Sequence, residues 1–170
     1  MDKINKMKIV LFDTNIYGLA LEKKDVANIL MLFVNQKQKS EKEYVAFGSQ
    51  IVNQEINANP HQETKSKLNE LYELVISGEI KLTEKVKLLA LEYFNECKNS
   101  HVKITLEDCQ IVASSCMANV DFIVTNNRKT MMSDKSIDVF TFINKKKGLR
   151  TPNLIGYEVL KSFLFRSGIS

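Results

Sequence analysis

The sequence predicts an α/β domain in which helices cover both faces of a central parallel sheet of about four or five strands. Short apolar runs typical of buried strands alternate along the chain with longer segments whose apolar residues recur at helical spacing. This alternation favours parallel strands joined by right-handed helical crossovers. No internal repeat, low-complexity tract or flexible linker divides the 170 residues, so we interpret 1–170 as a single domain.

Five short segments rich in β-branched and aromatic residues are predicted to be strands. In chain order they are 9–12 (IVLF), 44–48 (YVAFG), 80–82 (IKL), 122–125 (FIVT) and 137–143 (IDVFTFI). A turn is predicted at 151–153, where Thr151 and Pro152 follow the last of these segments.

Helices are predicted from apolar residues at helical spacing and from residues that commonly cap helix ends. The predicted ranges are 25–38, 49–60, 65–77, 83–99, 105–117 and 157–165. Ser49 is a typical N-cap, whereas Pro60 and Gly78 mark helix ends. Thr105 and Asp108 have the spacing of a capping box.

The composition is that of a globular protein, with 44% apolar and 26% charged residues. The longest apolar run, 29–34, is too short to span a bilayer, and the N-terminus lacks a signal-peptide pattern. We therefore expect a cytoplasmic protein without a membrane partner. Cys97, Cys109 and Cys116 form no C-x-x-C pair and are interpreted as reduced core residues. The net charge of +4 permits a polyanionic partner without requiring one.

Three acidic residues from distant parts of the chain are candidates for one site. Asp13 directly follows the first predicted strand, Glu55 lies on the helix after the second strand, and Asp108 begins the helix before the fourth strand. Ligands of open α/β sheets bind beyond the carboxyl ends of the strands, where these acids are expected to converge. Clustered carboxylates require a cation, and oxygen ligands suit Mg²⁺ or Mn²⁺.

Each acid also has a purely structural interpretation. Asp13 is a good helix N-cap, Glu55 can face solvent, and Asp108 can serve as the capping-box partner of Thr105. Glu107 can equally be the acid of that first helical turn.

Four motifs occur in order along about 8–165: Asp-Thr-Asn after the first strand, SQIVNQEI after the second, DCQIVASSCMANVDFIVTNNRK, and a late Thr-Pro. Together they resemble the PIN domain, and the toxin nucleases of VapC type are the nearest relatives by this resemblance. It implies a three-layer α/β/α PIN-like domain that hydrolyses RNA phosphodiester bonds with a divalent metal.

The resemblance also implies roles for individual residues. Asp13, Glu55 and Asp108 match the catalytic, metal-binding acids of the family. The polar positions that match supporting residues are Thr14, Asn15, Thr125 and Asn127. In the family a fourth acid often lies two residues after the matched Thr, or a few residues further on, where this chain has Asn127 and then Thr130 and Met131. With one charge fewer, a second divalent ion is expected to bind weakly.

The implied mechanism uses one Mg²⁺ or Mn²⁺ to orient a water molecule for in-line attack on an RNA phosphodiester. Arg128 and Lys129 follow the fourth strand and are candidates for contacts with the flanking phosphates. The resemblance further implies a homodimer, for which Leu32, Phe33 and Leu71 are candidate surface residues, and a toxin that pairs with an antitoxin protein.

Two other functions remain open at this point. Asn127, in place of an acid, favours a PIN-like RNA-binding or assembly protein with little catalysis. A phosphatase of the haloacid dehalogenase type also has an Asp after its first strand and a later Thr. That class, however, requires a second Asp where this chain has Asn15, and an acidic pair after the later strand that is lacking here.

Overall fold

The computed structural model describes residues 7–169 and contains a five-stranded sheet with the order β3-β2-β1-β4-β5. The strands are β1 (Lys8–Phe12), β2 (Tyr44–Ser49), β3 (Glu79–Ile80), β4 (Phe122–Val124) and β5 (Asn153–Ile155). All four neighbouring pairs are parallel. Helices lie on both faces of the sheet, so the predicted three-layer α/β/α fold is confirmed.

Eight helices occur in the part of the chain that the structure describes. They are α1 (Thr14–Glu22), α2 (Lys24–Lys37), α3 (Gln50–Asn57), α4 (Gln62–Val75), α5 (Glu84–Asn99), α6 (Leu106–Met117), α7 (Asp134–Lys147) and α8 (Tyr157–Arg166). None of them is both long and apolar enough to cross a membrane.

The central strand β1 carries the core of the domain. Val10, Leu11 and Phe12 are completely buried, as expected for a parallel strand covered on both faces. The ladder positions Val10 opposite Ala46 of β2, while Phe12 lies opposite Val124 of β4. The carboxyl ends of β1, β2, β4 and β5 therefore meet at one edge of the sheet.

The predicted strand at 137–143 is wrong, because this segment lies within helix α7. Its β-branched and aromatic composition is typical of a strand, but the residues that it buries, Val139, Phe140 and Ile143, follow helical spacing. Ser133 caps the start of α7, and Gly148 ends it in the left-handed conformation with φ of 66°. The fifth strand is instead β5, which begins at the end of the predicted turn.

Helix α1 begins at Thr14, as the N-cap interpretation of Asp13 implied, although no range was predicted for it. One further expectation requires correction. Phe33 was a candidate for a dimer surface, but it is only 1% exposed, and its ring packs edge-on against Phe12 with centroids 5.0 Å apart. The cysteines at positions 97, 109 and 116 are free and buried, as predicted.

The outer part of the sheet depends on a close approach between Gly48 of β2 and Tyr72 of α4. The Tyr72 hydroxyl lies 3.1 Å from both the Ser49 carbonyl oxygen and the Glu79 carboxylate. A Cβ atom on Gly48 would lie 2.5 Å from Cζ of Tyr72 and nearer still to the hydroxyl oxygen. A side chain at position 48 is therefore incompatible with the position of this buried ring.

Candidate metal centre

Asp13 connects β1, α1 and β4. Its backbone N–H donates to the Val124 carbonyl oxygen at 2.9 Å, and Oδ1 accepts from the backbone N–H of Thr14 at 2.8 Å. Oδ2 accepts from the Thr125 hydroxyl at 2.6 Å. The side chain thus caps α1, as the structural interpretation predicts, but only one oxygen serves the cap. The other is held by a residue 112 positions further along the chain.

Asn15 and Thr125 hold Asp13 between the two central strands. The Asn15 amide NH₂ donates to Oδ2 of Asp13 and lies 3.2 Å from Oγ1 of Thr125. The Asn15 side-chain oxygen accepts from the backbone N–H of Asn126 at 2.9 Å. Because both ends of the Asn15 amide are engaged, the start of α1 is tied to the end of β4.

Glu55 reaches the same region from helix α3. Ser49 caps that helix by accepting from the backbone N–H groups of Ile51 and Val52, as its sequence position predicted. The Glu55 carboxylate accepts a hydrogen bond from the Thr14 hydroxyl. Thr14 therefore contacts two acids, Asp13 through its backbone and Glu55 through its side chain.

Asp108 lies in the first turn of α6. Its backbone N–H donates to the Thr105 hydroxyl at 3.1 Å, which confirms the predicted cap. Oδ2 accepts from the Asn127 amide NH₂ at 3.2 Å, and the Thr130 hydroxyl is 3.5 Å from the same oxygen. Asn127 also donates its backbone N–H to Oγ1 of Thr125 at 3.0 Å, so this residue connects Asp108 to the Asp13 network.

Burial and neighbouring acids perturb the ionisation of Asp13, Glu55 and Asp108. Burial raises the pKa of Asp13 to about 6 and the pKa of Glu55 to about 7. The charge of Asp108 contributes to the raised pKa of both, and Asp13 contributes to that of Glu55. Burial also raises the pKa of Asp108. Within residues 7–169, none of the three carboxylates forms an ion pair with a lysine or arginine.

This donor set suits a hard divalent cation, which binds carboxylate oxygens and would balance their charges. In residues 7–169, however, no three acidic, histidine or cysteine side chains are close enough together to hold an ion. Each carboxylate is instead held apart on its own donors: Asp13 on Thr125, Glu55 on Thr14 and Asp108 on Asn127. Binding an ion would therefore require these side chains to rotate toward one another.

The raised pKa values predict how stability depends on pH when a chelator removes divalent cations. The folded protein keeps protons on Asp13 and Glu55 up to about pH 6 and 7, whereas the unfolded chain releases them near their ordinary values of 3.8 and 4.5. Stability should therefore fall as pH rises between these limits. We expect Glu55→Gln, which keeps an acceptor for Thr14, to reduce the loss of melting temperature between about pH 5 and pH 7.5. An identical loss in both proteins, measured by scanning calorimetry, would contradict the predicted pKa of Glu55.

The two predicted phosphate-binding residues lie at the same edge of the sheet. Arg128 and Lys129 are exposed and follow β4. The Arg128 guanidinium is 3.5 Å from the Glu158 carboxylate at the start of α8. Arg128 and Glu158 help to line a cavity of about 520 Å³, together with Met132 and Gly156. Sequence reasoning missed Glu158 because the ion pair joins residues 30 positions apart in two different elements.

Comparison with solved structures identifies the fold. A chain of VapBC2 from Rickettsia felis, solved with a DNA fragment from its promoter, matches with a TM-score of 0.56 and 18% identity over 87% of this chain and 98% of that one. A chain of DNA-bound VapBC from Salmonella typhimurium matches with a TM-score of 0.58 and 12% identity, over 89% and 99%.

A third match is VapC20 from Mycobacterium tuberculosis, a toxin that cleaves the sarcin-ricin loop. Its TM-score is 0.51 and its identity 12%, over 76% of this chain and 94% of that one. No protein-family model and no curated protein matches the sequence. At these identities the likeness establishes the fold alone, and it confirms the PIN fold that the sequence motifs predicted.

Proposed function

We propose that this chain is a divalent-metal-dependent endoribonuclease, and the toxin of a toxin–antitoxin pair. The observation that carries the proposal is the arrangement of Asp13, Glu55 and Asp108. Three segments distant in sequence bring these carboxylates to one edge of the sheet, where burial raises the pKa of each and repulsion by other acids adds to the raised pKa of Asp13 and Glu55. Perturbed acids in such a position are typical of catalytic sites.

The residues that would hold Mg²⁺ or Mn²⁺ are Asp13, Glu55 and Asp108. A divalent ion held there would supply the chemistry of metal-assisted hydrolysis, in which it would activate water and stabilise charge on a phosphodiester. Thr14, Asn15 and Thr125 restrain two of these acids through hydrogen bonds, which limits the entropy lost when the side chains turn toward an ion.

RNA is the proposed substrate, and Arg128 and Lys129 are its proposed backbone contacts. Both side chains are exposed and follow β4 at the edge of the sheet where the acids lie, which suits binding of a phosphate chain. Arg128 would exchange its weak, exposed pairing with Glu158 for a phosphate oxygen. The match to a toxin that cleaves the sarcin-ricin loop supports an RNA substrate.

The direct test is incubation of the purified protein with labelled RNA and Mn²⁺. We expect endonucleolytic products that disappear when a chelator is added and return when excess Mn²⁺ is restored. Products of equal amount with and without the chelator would contradict a metal-dependent reaction and would indicate a contaminating nuclease.

A second copy of this chain is the proposed partner for a groove between α2 and α8. The groove has a volume of about 460 Å³ and is lined by Met31, Leu32 and Phe165, the last being 73% exposed. Asp25 and Lys161 also line it, so a two-fold arrangement allows Asp25 of one copy to pair with Lys161 of the other.

The dimer has a clear expected mass. Light scattering at micromolar concentration should give twice the chain mass of 19.5 kDa. Phe165→Asp should shift the protein to monomer, because a charge would be buried in the apolar groove. The control is Leu88→Asp on α5, where the native side chain is also highly exposed but lies outside the groove. A monomeric wild type would end this proposal.

An antitoxin is the other proposed protein partner. The matched structures from Rickettsia felis and Salmonella typhimurium are VapBC complexes on DNA, which supports a partner of that kind.

One observation favours the alternative of a PIN-like RNA-binding or assembly protein with little catalysis. Within the described part of the chain, the carboxylates do not close into a group that could hold an ion. RNA binding that is unchanged by Mn²⁺, together with the absence of cleavage, would support this alternative.

A further inference from the structure

Thr130 lies beside the carboxylate cluster and contacts Asn127 twice. Its hydroxyl donates to Oδ1 of Asn127 at 2.6 Å, and its backbone N–H lies 3.3 Å from the same oxygen. We propose that Thr130 is a positioning residue that fixes the Asn127 amide with its NH₂ group toward Asp108, so that Asn127 acts as a donor and not as a metal ligand. The inference rests on the proposed metal-dependent nuclease.

The orientation of the Asn127 amide follows from its neighbours. Two donors of Thr130 converge on one end of the amide, and the Asp108 carboxylate lies at the other end, 3.2 Å away. The opposite orientation would place the NH₂ group against the backbone N–H of Thr130 and an amide oxygen against a carboxylate oxygen. Both contacts would be repulsive, so the network selects one orientation.

Thr130 acts through Asn127 and not directly on Asp108. A hydroxyl has a single proton to donate, and Oγ1 of Thr130 is 2.6 Å from Asn127 Oδ1 but 3.5 Å from Asp108 Oδ2. The shorter contact takes the proton. Asp108 therefore receives its hydrogen bond from Asn127, whose orientation Thr130 determines.

Thr130 is itself held by the start of α7. Its carbonyl oxygen accepts from the Ser136 hydroxyl at 2.5 Å, and Ser136 is buried. The next residue, Met131, is completely buried in the core. The loop that carries Thr130 and Asn127 is thus anchored to the body of the domain, which makes it a rigid support for Asp108.

This arrangement affects which atoms are available to an ion. The NH₂ group of Asn127 donates to Oδ2 of Asp108. The side-chain oxygen of Asn127, Oδ1, which is the side-chain atom that could bind an ion, is turned toward Thr130. Partners that orient a metal ligand typically contribute about 10- to 100-fold in metal affinity. Without the Thr130 hydroxyl, the Asn127 amide should rotate more freely. The Asp108 carboxylate would then no longer be held in one orientation.

The experiment compares Thr130→Val, which removes the hydroxyl at nearly constant shape, with Thr130→Ser, which keeps it. Titration calorimetry should show Mn²⁺ binding weakened about 10-fold in the Val variant and by less than about 2-fold in the Ser variant. In an Asn127→Leu background, Thr130→Val should weaken Mn²⁺ binding by less than it does when Asn127 is present, because the residue through which Thr130 acts is gone.

A second readout does not depend on metal. The side-chain amide NMR signals of Asn127 in the metal-free protein should shift in Thr130→Val and be retained in Thr130→Ser. Unchanged signals in the Val variant, or a Mn²⁺ affinity equal to that of the wild type, would overturn the inference. If the wild type binds no Mn²⁺, the proposed function fails, and the NMR comparison still decides whether Thr130 orients Asn127.

Discussion

Asp13→Asn is expected to abolish most Mn²⁺-dependent RNA cleavage while leaving the fold intact. The change removes one ligand charge from the proposed metal centre. Loss of residues that merely orient a ligand costs about 10- to 100-fold, so loss of the ligand should lower the cleavage rate by more than about 100-fold. Asn caps helices as well as Asp, so the start of α1 should be preserved.

The stability of this variant separates catalysis from folding. The substitution removes the charge that repels Glu55 and Asp108, but it also replaces the oxygen that accepts from the Asn15 amide and the Thr125 hydroxyl. These effects oppose each other, and we expect a change of less than about 1 kcal/mol in the free energy of unfolding. The control is Asp138→Asn on α7, which makes the same charge change away from the site. Equal cleavage by the wild type and Asp13→Asn would show that Asp13 only caps α1.

Gly48→Ala is expected to cause the largest loss of stability among conservative changes in the sheet. The new Cβ atom would lie 2.5 Å from Cζ of Tyr72, whose ring is completely buried and packs against Tyr17 with centroids 5.5 Å apart. Displacing the ring would also break its hydrogen bonds to Ser49 and Glu79. Overpacking and lost hydrogen bonds together should cost about 2–4 kcal/mol.

Gly18→Ala is the matched control for this prediction. Gly18 lies inside α1, and a Cβ atom there would meet no atom within 4 Å. Alanine should therefore stabilise the protein by about 0.5–1 kcal/mol, because it reduces the conformational entropy of the unfolded chain. Urea unfolding of both variants measures the two effects. A Gly48→Ala protein as stable as Gly18→Ala would contradict the close approach of Tyr72 to β2.

The parts of the fold that the sequence predicted correctly depend on local signals. Apolar runs located β1, β2 and β4, and Ser49 and Thr105 marked helix starts through side-chain caps that act within three residues. The resemblance to the PIN domain added Thr125 as a residue that supports the acids, Asp13 among them. These two residues are indeed joined by a hydrogen bond.

The errors arose where tertiary packing decided the structure. The run at 137–143 consists of residues that favour strands, but its buried side chains pack against the domain at helical spacing, as the core position of Phe140 shows. β5 is only three residues long and has an exposed first residue, so it carries no clear strand pattern. Its place is determined by pairing with β4 and not by its own composition.

The detailed contacts of the site were also beyond sequence reasoning. The hydrogen bond from Thr14 to Glu55 depends on how α1 and α3 pack, since the two residues are 41 positions apart. The role of Thr130 was also beyond sequence reasoning. The sequence showed only that Thr130 stands at a position where the family often has a fourth acid. Its contact with Asn127 depends on the path of the loop between β4 and α7.

The central claim is that Asp13, Glu55 and Asp108 form one divalent-cation site. Titration of Mn²⁺ into metal-free protein, followed by isothermal calorimetry, tests it most directly because no RNA target needs to be known. We expect saturable binding by the wild type and by Asp138→Asn, and affinity reduced by more than about 10-fold in Asp13→Asn. Absence of binding in the wild type, or equal affinity in Asp13→Asn, would contradict it.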